Sequence, residues 1–185
     1  MIYGGLGIII ALGILALIPA GKQTQVTPYV TLDRIPGYGI QFIMASPEQA
    51  ELDHVHVTIS SVEVLATEGE WVEVYDTETS WDMLHLVEKT LRIDPGTIHA
   101  SYLKARINIE PEPSKTNATL SDGQVLPLEV QTNPFEVDIS CTVIGETSEF
   151  SLVFRIGSGK SSIHILPNYR VQVVTARLTG EITGK

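Results

Sequence analysis

Apolar and polar residues alternate along most of the chain after Tyr38, and this alternation limits the fold more than any other feature of the sequence. A period of two places successive side chains on opposite faces of the backbone, which is the pattern of half-buried β-strands. Turn residues separate the alternating runs, and little of the chain has helical periodicity. We therefore predict an all-β domain, an antiparallel two-sheet sandwich with an Ig-like or jelly-roll-like arrangement. The runs are 55–64, 71–75, 103–109, 126–130, 150–156 and 169–178.

Three local departures from the alternation carry predictions of their own. The phase slips at Ser60-Ser61, which predicts a β-bulge within one long strand, and a second slip near Val173 predicts another bulge. Residues 81–89 instead space their apolar side chains as one face of a helix, with Ser80 as a possible N-cap. We therefore predict one short helix at 81–89.

The first 21 residues carry no charge and are dominated by aliphatic side chains. As a helix, residues 2–18 would be roughly 25 Å long, at the short end for a bilayer span. No Lys or Arg precedes the apolar run, and Ile18-Pro19-Ala20 is a poor cleavage site, so we expect a retained hydrophobic helix rather than a signal peptide. A membrane anchor and a filament core helix are both open, and contact with neighbouring copies would give a homo-oligomer. The expected anchor or assembly residues are Ile8, Ile9, Leu12 and Leu15.

Pro and Gly residues interrupt the chain between this helix and the alternating body. We divide the sequence into a hydrophobic helix at 1–21, a linker or extended strand at 22–38 and a β-sandwich domain at 39–185. The extended piece at 26–32 could add as a strand to the open sheet edge of a neighbouring copy. The predicted strand-donor residues are Val26, Tyr29 and Val30.

The body of the protein is acidic. Its chain has 22 acidic and 12 basic residues and a formal net charge of −10, whereas a nucleic-acid-binding protein needs a basic footprint, so nucleic acid is excluded as a partner. Cys141 is the single cysteine and is interpreted as a small buried hydrophobe. Asn117-Ala118-Thr119 matches a glycosylation sequon in a polar loop, which makes Asn117 a candidate for glycan attachment on an extracytoplasmic protein.

His54 and His56 lie two residues apart, so a strand would place both imidazoles on one face. With Asp53 or Glu51 they form a candidate metal site, but zinc needs three or four convergent ligands. The other histidines are scattered along the sequence, so we interpret the pair as part of a solvated face, with no metal or other cofactor. No pairing of a nucleophile with a base stands out, and we expect a protein that is not an enzyme. The scattered histidines are His85, His99 and His164.

Five segments of the body follow one another in a recognisable order. They are an alternating strand at 50–64, a tryptophan hairpin with a leucine-containing stretch at 69–86, a Tyr-x-x-x-Arg strand at 100–109, an Asp-Gly turn with an apolar strand at 119–130, and a glycine-containing ending at 165–183.

In this order the segments resemble the domain of unknown function 4382 family, which is found in bacterial and archaeal envelope proteins. Ala45-Ser46-Pro47 stands where the family often has an Asp-small-Pro step, and an apolar segment stands where its members usually carry a lipidated cysteine. The resemblance implies an extracytoplasmic β-sandwich and supplies no catalytic residues. The residues that carry it are Trp71, Trp81, Tyr102, Arg106, Gly180 and Gly184.

Together these observations favour a non-catalytic structural protein of the cell surface, in the envelope or in an extracellular filament, held by its N-terminal hydrophobic helix. The alternative is an extracytoplasmic binding module for a small solute, a glycan or a cation. That alternative predicts a concave pocket lined by Trp71, Trp81 or Tyr102.

Overall fold

The computed structural model describes residues 27–35, 39–66, 68–94, 104–143, 148–157 and 159–184, which form strands, turns and loops. In this part of the chain no helix is long and apolar enough to cross a membrane. The all-β prediction is confirmed here, whereas the predicted helix at 1–21, with Ile8, Ile9, Leu12 and Leu15, lies outside the described residues. The strands are β1 (Tyr29–Ile35), β2 (Gly39–Ser46), β3 (Leu52–Leu65), β4 (Trp71–Tyr75), β5 (Thr79–Asp82), β6 (Glu88–Ile93), β7 (Lys104–Ile109), β8 (Asn117–Leu120), β9 (Val125–Val130), β10 (Phe135–Val143), β11 (Phe150–Ile156), β12 (Lys160–Leu166), β13 (Tyr169–Ala176) and β14 (Leu178–Gly184).

Hydrogen bonds join these strands into one mixed sheet rather than two antiparallel sheets. Most of the strands follow the order β12-β13-β2-β1-β9-β8-β3-β7-β10-β14-β11-β6, and β4 and β5 also pair with β3. The β1–β9 and β10–β14 pairings are parallel, and the other described pairings are antiparallel. The predicted antiparallel arrangement is therefore corrected, because alternation shows which residues face a core but not the direction of a partner strand.

β1 belongs to the sheet of its own chain. It pairs antiparallel with β2 and parallel with β9, so both of its edges are occupied. Val30 and Leu32 are each 1% exposed, and their burial in the core holds the strand in place. This pairing within one chain argues against the predicted donation of Tyr29 and Val30 to a neighbouring copy. The third predicted donor, Val26, lies outside the described residues.

The folded body therefore extends beyond its predicted boundary. The sequence predicts either a linker or an extended strand at 22–38. Residues 29–35 form a strand, and this strand is part of the sheet rather than a linker to it.

One main hydrophobic core links strands that are far apart in the sheet order. The Trp81 ring of β5 lies 5.4 Å from the Phe154 ring of β11, centroid to centroid, although β5 and β11 are not paired with each other. The sheet thus folds over on itself, and its core-facing side chains pack between the layers. Trp81 is 2% exposed and supplies one of the largest side chains in this core.

The predicted helix at 81–89 is wrong. β5 ends at Asp82, a turn follows, and β6 begins at Glu88. Trp81 and Met83 are buried, whereas Asp82 between them is only partly buried, which is the alternation of an extended chain.

Of the two predicted bulges, one is confirmed. The pairing of β3 with β7 shifts in register between Ile59 and Ser61, as the phase slip predicts. The pairing of β13 with β2 and β12 continues without a shift, so the predicted bulge near Val173 is wrong. The change of phase has a different cause, because β13 is apolar on both faces: Val171 belongs to a small second cluster, and Ala176 belongs to the main core.

We predict that Gly180→Ala destabilises the fold. Gly180 of β14 lies between Ile139 of β10 and Phe154 of β11, and an added Cβ would lie 2.5 Å from Ile139 Cγ2 and 3.2 Å from Phe154 Cε1. Overpacking of this kind typically lowers the free energy of unfolding by about 1–3 kcal/mol. Urea denaturation followed by tryptophan fluorescence measures the change.

Gly157→Ala is the matched control, because its added Cβ would have its nearest neighbour at 3.6 Å, an ordinary contact. Equal stability of the two variants would contradict the packing described for β14.

Candidate metal centre

Two histidines of β3 face away from the hydrophobic core. The valines on either side of His56 are almost fully buried, so the alternation turns His54 and His56 to the opposite face. At this point β3 has partners on both edges, because His56 pairs with Asp82 of β5 and also with Asn117 of β8. Opposed residues of antiparallel strands share a face, which places Asp82 beside the two imidazoles.

Asp82 also shapes the turn that follows β5. Its Oδ1 atom accepts hydrogen bonds from the backbone N–H groups of Val55 and Leu84, both at 3.2 Å. The backbone N–H of His85 donates to the carbonyl oxygen of Asp82 at 3.2 Å. Aspartate commonly bonds to its own turn in this way, and here the turn carries His85 back towards β3.

The second carboxylate oxygen of Asp82 meets two imidazoles. Nδ1 of His54 lies 2.6 Å from Asp82 Oδ2, and Nδ1 of His85 lies 2.8 Å from the same atom. An ionised carboxylate only accepts hydrogen bonds, so both Nδ1–H groups donate, and each neutral ring keeps a lone pair on Nε2. We refer to His54, His56, Asp82 and His85 as the histidine cluster.

Three donor atoms of the histidine cluster are close enough to share an ion. One ligand atom each from His54, His56 and Asp82 all lie within 4.8 Å of one another. The ring of His54 lies 4.8 Å from the ring of His85, centroid to centroid, so a third imidazole stands beside the three donors. Ligand atoms of a tetrahedral zinc ion are about 3.3 Å apart, so side-chain shifts of about 1.5 Å or less would close the set around an ion.

Electrostatics at the histidine cluster favour positive charge. Burial raises the pKa of Asp82, but hydrogen bonds from His54, His85 and two backbone amides outweigh it and bring the pKa below its usual value. The hydrogen bond to Asp82 raises the pKa of His54 against the effect of burial, and the charges of Asp82 and Asp53 raise it further. Asp53 Oδ2 lies 3.4 Å from His54 Nε2, so this imidazole stands between two carboxylates.

The structure corrects the sequence-based interpretation of the histidines. His85 is not remote from His54 and His56, since the turn after β5 brings it to the same carboxylate. Glu51, a candidate ligand by its position in the sequence, instead forms an ion pair with Arg170 at 2.6 Å. His164 is exposed on β12, away from the cluster, and His99 lies outside the described residues.

The predicted aromatic pocket is not formed by the described tryptophans. Trp81 is buried in the core, and Trp71 is covered by the guanidinium of Arg106, whose Cζ atom lies 4.2 Å from the ring centroid. Arg106 in turn donates from Nε to Glu63 Oε2 at 2.8 Å. The third predicted residue, Tyr102, lies outside the described residues, so the structure gives no support to a sugar or solute site built on these aromatics.

Asn117 and Cys141, the two remaining residues singled out in the sequence, both lie in strands. Asn117 is the first residue of β8 rather than part of a loop, and its side-chain amide donates to the carbonyl oxygen of Pro113 at 3.3 Å. It is partly exposed and lies opposite His56, so its glycosylation stays a prediction.

Cys141 lies half-buried in β10, and burial raises the pKa of its thiol, as expected for an unreactive side chain.

No protein-family model matches the chain, and no curated protein or solved structure matches it. The likeness to the domain of unknown function 4382 family stays a prediction, and arguments about function rest on the histidine cluster itself.

We predict that Glu63→Gln destabilises the protein in a pH-dependent way. The hydrogen bond from Arg106 lowers the pKa of Glu63 in the folded state, against burial and with help from Asn108. The ion pair therefore contributes stability above the unfolded pKa of about 4.3, and this contribution is lost as the pH falls through the lower folded value. A partly exposed bidentate pair of this type contributes about 1 kcal/mol.

Urea denaturation at pH 7 and at pH 2.5 measures the effect. The wild type should be more stable than the variant at pH 7, and the difference should shrink at pH 2.5. A difference that stays constant between the two pH values would contradict the role assigned to this ion pair.

Proposed function

We propose that the protein binds a divalent transition-metal ion at the histidine cluster. The observation that carries the proposal is that donor atoms of His54, His56 and Asp82 lie within 4.8 Å of one another, with the imidazole of His85 on the same carboxylate. Three protein ligands with a fourth donor nearby match the number that zinc and similar ions require. This is the cation form of the binding-module hypothesis.

The ligand atoms indicate which ions the cluster would accept. Imidazole nitrogen with one carboxylate oxygen suits zinc, copper, nickel and iron, whereas calcium takes six to eight oxygen ligands. The side chains of His54 and His85 are 42% and 59% exposed, so an ion can reach them from solvent. The net charge of −10 raises the concentration of cations near the whole surface.

Asp82 would act in such a site in one of two ways. By accepting from Nδ1 of His54 and His85 it directs the Nε2 atoms of both rings away from itself, as carboxylates behind zinc-bound histidines do. Alternatively, one of its carboxylate oxygens, which lies within 4.8 Å of donor atoms of His54 and His56, would exchange its hydrogen bond from His54 for coordination.

The location and wider role of the protein are part of the proposal and rest on the sequence. The apolar residues 1–21 would hold the acidic body at the outer face of a membrane or in an envelope or filament assembly. The proposal keeps the expectation that the protein is not an enzyme, so the bound ion would be retained or transferred rather than used in catalysis.

We predict one zinc or nickel ion per chain in isothermal titration calorimetry of the untagged full-length protein in mild detergent. His54→Ala and His56→Ala should each weaken binding at least about tenfold, because each removes an imidazole ligand. His164→Ala is the matched control, since this exposed histidine lies outside the cluster, and it should bind like the wild type. Calcium should not bind at the cluster.

A thermal unfolding series gives an independent measure. Zinc at a hundred times its dissociation constant should stabilise the wild type by about 2.7 kcal/mol and leave His56→Ala closer to its metal-free value. Binding of the same strength in His54→Ala, His56→Ala and His164→Ala would refute the proposed site.

A further inference from the structure

The strand β12 forms one end of the sheet. It pairs with β13 along all seven of its residues, and none of the described strands pairs with its other edge. Ile163 and Ile165 are 40% and 63% exposed, and because they are two residues apart they project from the same face of the strand. Exposed aliphatic side chains on an unpaired sheet edge are the usual template for pairing with another chain.

The two ends of the sheet differ in how they are protected. The other end strand, β6, carries Glu88, Lys89 and Arg92, and Glu88 pairs with Arg155 at 2.9 Å. Charged side chains on an edge strand are a common protection against association. In β12 the single charged residue is Lys160, at the start of the strand.

The sequence around β12 also lacks the acidic residues found in the rest of the body. Residues 150–180 contain no Asp or Glu, although the chain has 22 of them. Among the described residues, one ion pair joins β12 and its partner β13 to the rest of the molecule, and it links Arg170 of β13 to Glu51. Two copies of an acidic chain would therefore meet here with less repulsion than elsewhere on the body.

We propose that β12 pairs antiparallel with β12 of a second copy of this chain, about a two-fold axis that passes between the two copies of Ile163. This register places Ile163 opposite its counterpart, Ser161 opposite Ile165, and Lys160 opposite Leu166, so no charge faces a like charge. The exposed isoleucines of both copies become neighbours on one face of the extended sheet. Such a contact is isologous and closes after two copies.

The stoichiometry of the untagged full-length protein in detergent, measured by sedimentation equilibrium, tests this proposal. The wild type should be a dimer. Ile163→Lys should weaken dimerisation at least about tenfold, because it places two ammonium groups opposite each other on the axis. Val125→Lys is the matched control, since Val125 is 60% exposed on β9, away from the sheet ends, and it should dimerise like the wild type.

Cross-linking tests the register. In a Cys141→Ala background, Ile163→Cys should be cross-linked between copies by a short bismaleimide, whereas Val125→Cys should not. Dimers that persist in Ile163→Lys, as expected if residues 1–21 hold the copies together, would overturn the proposal. So would a monomeric wild type, or equal cross-linking at the two positions.

Discussion

The pairing of β3 on both of its edges is the constraint on which the rest of the structure depends. This strand of fourteen residues pairs with β7 and β8 and also with β4 and β5, and its core-facing valines and isoleucine are almost fully buried. Burial of one face of β3 fixes which side chains point outward, because a slip of one residue in register would exchange the two faces. His54 and His56 are outward-facing for that reason, and β5 brings Asp82 alongside them.

The carboxylate of Asp82 connects local structure to the proposed ion binding. One of its oxygens holds the turn through the backbone of Val55 and Leu84, and the other holds the imidazoles of His54 and His85. The carboxylate that holds the turn after β5 thus also orients the nitrogen donors. An ion bound by these side chains would tie β3 to the turn after β5, which is why metal binding and stability of this turn should be coupled.

Some of the fold and one half of the candidate site could be predicted from the sequence. Alternation predicts most strands and the bulge at Ser60-Ser61, and the spacing of His54 and His56 places them on one face, since these are properties of a single strand. Parallel pairing of β1 with β9 and β10 with β14 depends on long connections that leave no local signal. The contribution of His85 was missed because residues 81–89 also fit a helical period. An aspartate three residues before a histidine, at the end of a strand, was the available signal for a turn.

The central claim is that the histidine cluster coordinates a metal ion through imidazole, and zinc K-edge X-ray absorption spectroscopy tests it most directly. With one equivalent of zinc bound to the full-length protein, we predict a nearest shell of nitrogen and oxygen at about 2.0–2.1 Å, with the outer-shell scattering of at least two imidazoles. This imidazole scattering should diminish in a His54→Ala, His56→Ala double variant. A shell of oxygen alone in the wild type, or an unchanged spectrum in the double variant, would contradict the account.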